Sequence, residues 1–127
     1  MKKEQQKLTA ELTENEINEY GEVAERLAKE KVVSKVHPVV QIDPVSLERK
    51  VCYISEPNYA TKLAVMDKAS TVGPYRAADE LREACLIKEA SDAITYSESP
   101  ESDRYKLGVT EYCMGIVNRL QNQFKKK

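Results

Sequence analysis

Three cysteines and a single histidine are the residues of this chain best suited to metal binding or nucleophilic catalysis. They are Cys52, Cys85, Cys113 and His37. By type they match a zinc site of the Cys₃His kind, but no two of them have the short Cys-x-x-Cys spacing that makes such a site specific. Nothing in the sequence around His37 argues for a nucleophile and base pair. We therefore expect reduced, buried thiols packed as small apolar residues, a histidine at the surface, and no bound metal or cofactor.

Acidic residues at helical spacing could also do chemistry, because two paired carboxylates can act as a general acid and a general base. The acidic residues are Asp79, Glu80, Glu83 and Glu89, and the basic residues among them are Arg76, Arg82 and Lys88. Such interleaving is typical of a solvated helix face. Gly73 is a lone glycine without the pattern of a phosphate-binding loop. We therefore predict a non-enzymatic chain with no catalytic residue. A zinc or cysteine hydrolase, the enzymatic alternative, requires His37 to approach a cysteine in space.

The length and charge balance of the chain limit its class. A chain of 127 residues is long enough for one domain with a single core. Its 20 basic residues nearly cancel its 21 acidic ones, so no overall field favours nucleic acid or an anionic membrane as a partner. The lysines near both termini are more typical of solubilising tails than of a nucleic-acid site. The sequence has neither an apolar run of membrane length nor a signal-peptide pattern, and we expect a cytosolic protein.

A change from strand-like to helical spacing at Pro57 organises the middle of the chain. Lys50 to Ser55 alternates in the manner of a pleated strand, and the β-branched residues between Val32 and Ile42 predict strand as well. Pro38 suits an edge strand or a bulge, since proline has no N–H to give to a ladder. We predict an antiparallel hairpin from Val36 to Ser55. It needs the helices that follow it over one face, because an isolated two-stranded ribbon is barely stable.

Three helices are predicted after the hairpin. Asn58 can cap the first, about Tyr59 to Ser70, and Pro74 can open the second, about Tyr75 to Lys88. The polar stretch from Glu89 to Ser99 is predicted to be a mobile surface loop. The helix after it carries the longest apolar stripe of the chain, which we expect to dominate the core. The stripe comprises Tyr105, Val109, Tyr112, Cys113, Ile116, Val117, Leu120 and Phe124.

The N-terminal part divides into an arm and a helix. Residues 1–12 are polar and basic and are predicted to be a flexible arm, followed by a single domain over residues 13–127. A capping box that begins at Thr13 predicts a helix to about Lys31. Its apolar stripe is narrow and is interrupted by Gly21, so the helix could pack on its own domain or dock on another chain.

Four apolar or aromatic residues are the candidates for contact with a partner protein. They are Tyr20, Leu27, Tyr59 and Met66. Taken together, the predicted elements define an α+β fold, a mainly helical single domain with a small antiparallel hairpin packed by about four helices.

Short runs of residues between Val36 and Lys127 carry a resemblance to a known family. They are Tyr53-Ile54-Ser55-Glu56-Pro57 with the helix after it, Ala77-Ala78-Asp79-Glu80-Leu81, Ala84-Cys85-Leu86-Ile87, Ser91-Asp92-Ala93-Ile94, and a closing helix with a lysine-rich end. In this order the chain resembles small tail assembly chaperone-like proteins of phages and prophages, particularly those from Bacteroides-type hosts. Two departures stand out: Glu89-Ala90-Ser91-Asp92 replaces an acidic-glycine turn, and the capped N-terminal helix is not part of the pattern.

The resemblance implies a non-enzymatic protein that coats or escorts a tape-measure protein while tail-tube subunits assemble around it. The implied partner is a protein of the virion tail, and the implied location is the cytoplasm of the host cell. The alternative from another class is a structural virion component, such as a connector or decoration protein, that stays in the particle as part of a ring. A homo-oligomer is left open.

Overall fold

The elements of the fold follow the predicted order. The computed structural model describes residues 9–125, with side chains as far as residue 123. Within this range the helices are α1 (Glu14–Lys31), α2 (Tyr59–Thr71), α3 (Pro74–Cys85) and α4 (Asp103–Lys125), and the antiparallel strands are β1 (Val36–Ile42) and β2 (Arg49–Ser55). Single 3₁₀ turns at Lys88–Ala90, Ala93–Thr95 and Pro100–Ser102 join α3 to α4. The predicted α+β fold, a small hairpin among four helices, is confirmed.

Local capping signals place the helix starts where the sequence predicts them. At the start of α1, the Glu16 N–H donates to Thr13 Oγ1 (3.1 Å) and the Thr13 N–H donates to Glu16 Oε1 (2.9 Å). At the start of α2, the Thr61 N–H donates to Asn58 Oδ1 (2.9 Å). The bonds from the Glu16 and Thr61 N–H groups satisfy donors that have no partner inside their own helix. The predicted capping box at Thr13 and the predicted cap at Asn58 are both confirmed.

The hairpin is covered on both faces. Val39, Cys52 and Ile54 point toward α2, α3 and α4 and join the larger core. A second core lies between the opposite face and α1, and its members are Ala24, Leu27, Val36, Val51, Tyr53 and Ile87. The helices after the hairpin therefore cover one face, as predicted, and α1 covers the other. Successive side chains of a strand point to opposite faces, and residues 51–54 of β2 are all buried. Both faces of the hairpin must therefore be covered.

The apolar stripe of α4 lies at the centre of the larger core. Its members in that core are Val109, Cys113, Ile116, Val117 and Leu120, and Tyr105 is buried as well. All three cysteines of the chain are buried and free, as the sequence predicts. Burial raises the pKa of Cys52 and of Cys113 to about 12, so both remain protonated thiols. Tyr112 differs from these buried residues because it lies at the margin of the core and is 40% exposed.

The stretch after α3 is bound to the outer edge of β2. The Ile87 N–H donates to Tyr53 O (2.9 Å) and the Asp92 N–H donates to Val51 O (2.8 Å). In return, Ser91 Oγ accepts from the Tyr53 N–H (3.0 Å) and Asp92 Oδ2 accepts from the Val51 N–H (2.7 Å). The prediction of a mobile loop is corrected for residues 89–92, because this stretch supplies the hydrogen-bond partners that β2 needs on its outer side.

Candidate functional site at the free edge of the hairpin

In β1, the backbone N–H and carbonyl groups of every second residue point away from β2. Just beyond the two ends of the paired strands, the Glu56 N–H donates to Lys35 O and the Asp43 N–H donates to Glu48 O, both at 2.9 Å. Since bonded and non-bonded pairs alternate in an antiparallel ladder, the odd-numbered residues of β1 bond to β2 and the even-numbered ones face outward. Within residues 9–125, no group is hydrogen-bonded to this outer edge. The outward-facing residues are Val36, Pro38, Val40 and Ile42.

Pro38 fits this free edge. It lies opposite Tyr53 in a pair whose backbone groups point out of the hairpin, so its missing N–H removes no bond between the strands. Of the two positions predicted for Pro38, an edge strand or a bulge, the structure shows the edge strand, because β1 pairs on one side only. The outer side still presents the N–H groups of Val40 and Ile42, together with outward carbonyl groups, whereas Val36 is buried.

The free edge lies on the floor of a groove with apolar walls. A cleft of about 310 Å³ is lined by Leu12, Ile17, Tyr20, Pro38, Val39, Val40 and Tyr112. Val39 and Val40 point to opposite faces of the hairpin, so a cleft that touches both must run along the edge itself. A second cleft, of about 860 Å³, continues past Pro38 toward the start of β1 and is lined by Gly21, Ala28, Val32 and Val36 among others. We call the two clefts together the edge groove.

Arg49 holds the segment before α1 against this groove. Its guanidinium donates to Glu16 Oε2 (2.8 Å) and to the carbonyl oxygens of Thr9 (2.7 Å) and Glu11 (2.9 Å). These bonds bring Leu12 to the groove wall. Of the predicted flexible arm, Thr9 and Glu11 are thus bound by Arg49, while residues 1–8 lie outside the described residues. No local signal indicates the contact, since Arg49 is 33 residues from Glu16 and 40 from Thr9.

The four residues predicted to contact a partner lie in different places. Tyr20 is half-buried and lines the edge groove. Leu27 is only 4% exposed and belongs to the second core, so of the two packings left open for the helix the structure shows the intramolecular one. Tyr59 is 72% exposed on α2, whereas Met66 is partly buried against the larger core. Of the four, only Tyr20 is part of the groove.

His37 is buried, which corrects the expectation of a surface histidine. It is 7% exposed. Its Nε2 lies 2.5 Å from Glu56 Oε2 and its Nδ1 lies 2.9 Å from the Tyr112 hydroxyl. Arg119 donates to both carboxylate oxygens of Glu56, at 2.7 and 3.0 Å. The period of two was the signal for this burial, because it places His37 on the same face of β1 as the core residue Val39.

The electrostatics of this cluster favour a structural role. Burial raises the pKa of Glu56, but hydrogen bonds from Arg119 and His37 outweigh burial, and the pKa lies below its usual value. Burial also raises the pKa of Tyr112, so this phenol stays protonated and can donate to His37. The Glu56 carboxylate faces the other ring nitrogen of His37, Nε2. The cluster thus links β1 and the end of β2 to α4, next to the groove wall formed by Tyr112.

The described part of the chain contains neither a histidine–cysteine pair nor a cluster of metal ligands. Both ring nitrogens of His37 contact Glu56 and Tyr112, and neither contacts a cysteine. Across residues 9–125, no group of three or more His, Cys, Asp or Glu side chains is arranged to hold a metal ion. None of the described helices combines the length and the apolar character that a membrane crossing requires. Comparisons with protein-family models, with curated proteins and with solved structures found no match for this chain.

Proposed function

We propose that this chain is a non-enzymatic binding domain that holds an extended segment of a phage or prophage tail protein during virion assembly. The segment would belong to a tape-measure or tail-tube component, and the binding would take place in the host cytoplasm. The observation that carries the proposal is the free outer edge of β1 on the floor of the apolar edge groove.

Strand addition is the recognition mode that suits this edge. The carbonyl groups of an extended segment laid beside β1 would accept hydrogen bonds from the N–H groups of Val40 and Ile42, and its own N–H groups would donate to the outward carbonyls. In this mode main-chain bonds supply affinity, and pockets for alternate side chains supply specificity. The walls offer such pockets, with Ile17 and Tyr20 on one side of the edge and Tyr112 on the other.

The walls favour a single extended segment over a second hairpin. Helix α1 approaches β1 more closely than β2, and Ile17 and Tyr20 stand beside the free edge. Another hairpin of the same kind would bring its own covering helix to the side of the sheet that these residues already occupy. A bare extended segment has no such helix. It would also bury a modest area, which suits an escort that must release its partner.

The choice of a tail protein as partner rests on the resemblance of residues 36–127 to tail assembly chaperone-like proteins. The geometry adds a reason why this class is suitable. A free sheet edge can bind an extended chain reversibly through main-chain hydrogen bonds, which is the kind of contact that the escort of a tape-measure protein would need.

A permanent virion component is the second candidate, and an exposed apolar patch on α2 and α3 favours it. Tyr59 is 72% exposed and Leu63, one turn further along α2, is 47% exposed. Val72 and Tyr75, at the turn between α2 and α3, are also exposed. Surfaces of this kind mark protein interaction sites, and a connector or decoration ring would bury them permanently. Purified particles separate the two candidates, because a chaperone should be missing from them and a component should be present in fixed copy number.

The proposal can be tested with purified tape-measure and tail-tube proteins from the same phage or prophage genome. Val40→Pro removes an outward N–H and places a ring on the edge, so this variant should lose binding. Tyr59→Ala is the matched control, because it removes a large exposed side chain that lines neither cleft of the groove, and it should bind as the wild type does. Binding by Val40→Pro at wild-type strength, or binding lost only in Tyr59→Ala, would overturn the proposal and favour the α2 patch.

A further inference from the structure

The edge groove has a basic end. Lys29 and Lys35 line it beside the start of β1, and both are exposed. Neither forms an ion pair within residues 9–125. Glu25, one helical turn before Lys29, also lines this part of the groove, so the three side chains together carry one net positive charge.

Acidic residues lie beyond the other end of the groove, next to the end of β1, although they do not line either cleft. Arg49 pairs with Ile42 across the hairpin and also binds the Glu11 carbonyl, which places the start of α1 beside the end of β1. Glu11 and Glu14 are exposed there and form no ion pair within the described range. The charge of Glu16 is engaged by Arg49.

The two ends are far enough apart to act independently. β1 contains seven residues, and a strand of that length spans roughly 20 Å. Charges at physiological ionic strength are screened over about 8 Å, so each end of a bound segment senses mainly the end of the groove beneath it. The position of charges along the segment therefore matters more than their sum.

We infer that the occupant of the edge groove is an extended partner segment with alternating apolar residues, an acidic residue at the end beside Val36 and a basic residue at the end beside Ile42. This inference rests on the proposed function and specifies the partner. The alternation follows from the groove, because successive side chains of an added strand point in turn toward Tyr20 of α1 and toward Tyr112 of α4.

Three synthetic peptides with capped termini test the inference. All share an alternating valine and threonine centre of about seven residues, and they carry one acidic and one basic end, two acidic ends, or two basic ends. The peptide with opposite charges should bind the wild type about two- to fivefold more tightly than either of the others at low salt, since each exposed ion pair contributes little. The difference should shrink as salt is added.

Protein variants show whether the basic end causes the preference. Lys29→Glu combined with Lys35→Glu makes both ends of the groove acidic, so the peptide with two basic ends should become the best ligand. Arg76→Glu together with Lys88→Glu is the matched control, because it changes net charge equally on α3 and the turn after it and should leave the ranking as in the wild type.

Each outcome has a distinct meaning. If no peptide binds, or if Val40→Pro binds all three as the wild type does, the proposed strand addition fails. If the three peptides bind the wild type equally and Val40→Pro binds none of them, strand addition stands and the charge inference is overturned. Sedimentation of the free protein should show a monomer. A dimer that Val40→Pro dissociates would identify a second copy as the occupant and would also overturn the inference.

Discussion

The two outer edges of the hairpin differ although they belong to the same small sheet. On β2, the chain itself closes the edge through Ile87, Ser91 and Asp92, which satisfy the outward groups of Val51 and Tyr53. On β1, the edge remains open between apolar walls. Exposed edges invite pairing with other chains, and proteins commonly cover them. An edge left open beside a closed one is therefore the surface where we look for a partner.

The largest expected effect concerns α1 and α4, the helices that pack on opposite faces of the hairpin. Leu27 of α1 and Ile116 of α4 are 4% and 5% exposed. Leu27→Ala and Ile116→Ala should each cost about 2–5 kcal/mol of unfolding free energy, because each leaves a cavity in a packed core. Chemical denaturation would measure both, with Tyr59→Ala as an exposed control that should change stability by about 0.5 kcal/mol or less. A cost well under 1 kcal/mol for Leu27→Ala would mean that α1 does not pack on the hairpin in solution.

The closed edge is the next test. Asp92→Ala deletes the carboxylate that accepts from the Val51 N–H and should cost about 1–3 kcal/mol, because it removes the hydrogen-bond partner of a buried residue. Asp92→Asn keeps an acceptor oxygen and should cost less. Amide hydrogen exchange gives a second measurement: Val51 and Tyr53 should exchange more slowly than Val40 and Ile42 in the wild type, and Asp92→Ala should reduce the difference at Val51. Equal exchange rates at both edges in the wild type would remove the contrast between them.

The polar cluster of His37, Glu56, Tyr112 and Arg119 beside the open edge should make the stability of the fold depend on pH. The pKa of Glu56 is lowered in the folded protein from its ordinary value of 4.5, since bonds from Arg119 and His37 outweigh the effect of burial. A lowered folded-state pKa contributes stability that is present above the ordinary value and is lost as pH falls through the folded-state value. Glu56→Gln should therefore be less stable than the wild type at neutral pH, and the gap should narrow on acidification below pH 4.5. Thermal melts of both proteins along a pH series measure this difference in stability, and a difference that stays constant with pH would contradict the lowered pKa of Glu56.

The smallest expected effect concerns the open edge itself. Val40→Pro removes an N–H that points out of the hairpin and trims a side chain that is only partly buried against the second core, so the free energy of unfolding should fall by about 1 kcal/mol. Val39→Pro, one residue earlier, removes an N–H that bonds to β2 and should destabilise the protein far more. Denaturation of the two variants side by side compares the two sides of one strand. Equal losses would show that both sides of β1 are bonded in the folded chain.

Signals that act within a few residues were enough to predict much of the fold. The caps at Thr13 and Asn58, the proline at the start of α3 and the stripe of α4 each depend on neighbours three or four positions away. Pro38 belongs to the same group, because a residue without an N–H is confined to an edge wherever the strand lies. These features follow from backbone geometry and side-chain periodicity alone.

Tertiary packing decided the features that make up the candidate site. Tyr112 is 75 residues from His37, and Asp92 is 41 residues from Val51, and no pattern along the chain links either pair. The same holds for Leu27. The narrow apolar stripe of its helix was compatible with packing on its own domain or on another chain, and only the tertiary structure shows that α1 packs on the hairpin. Which edge of the hairpin is closed depends on where the chain returns after α3. The strands themselves contain unpaired N–H and carbonyl groups on both sides, so their own sequence is compatible with closure at either edge.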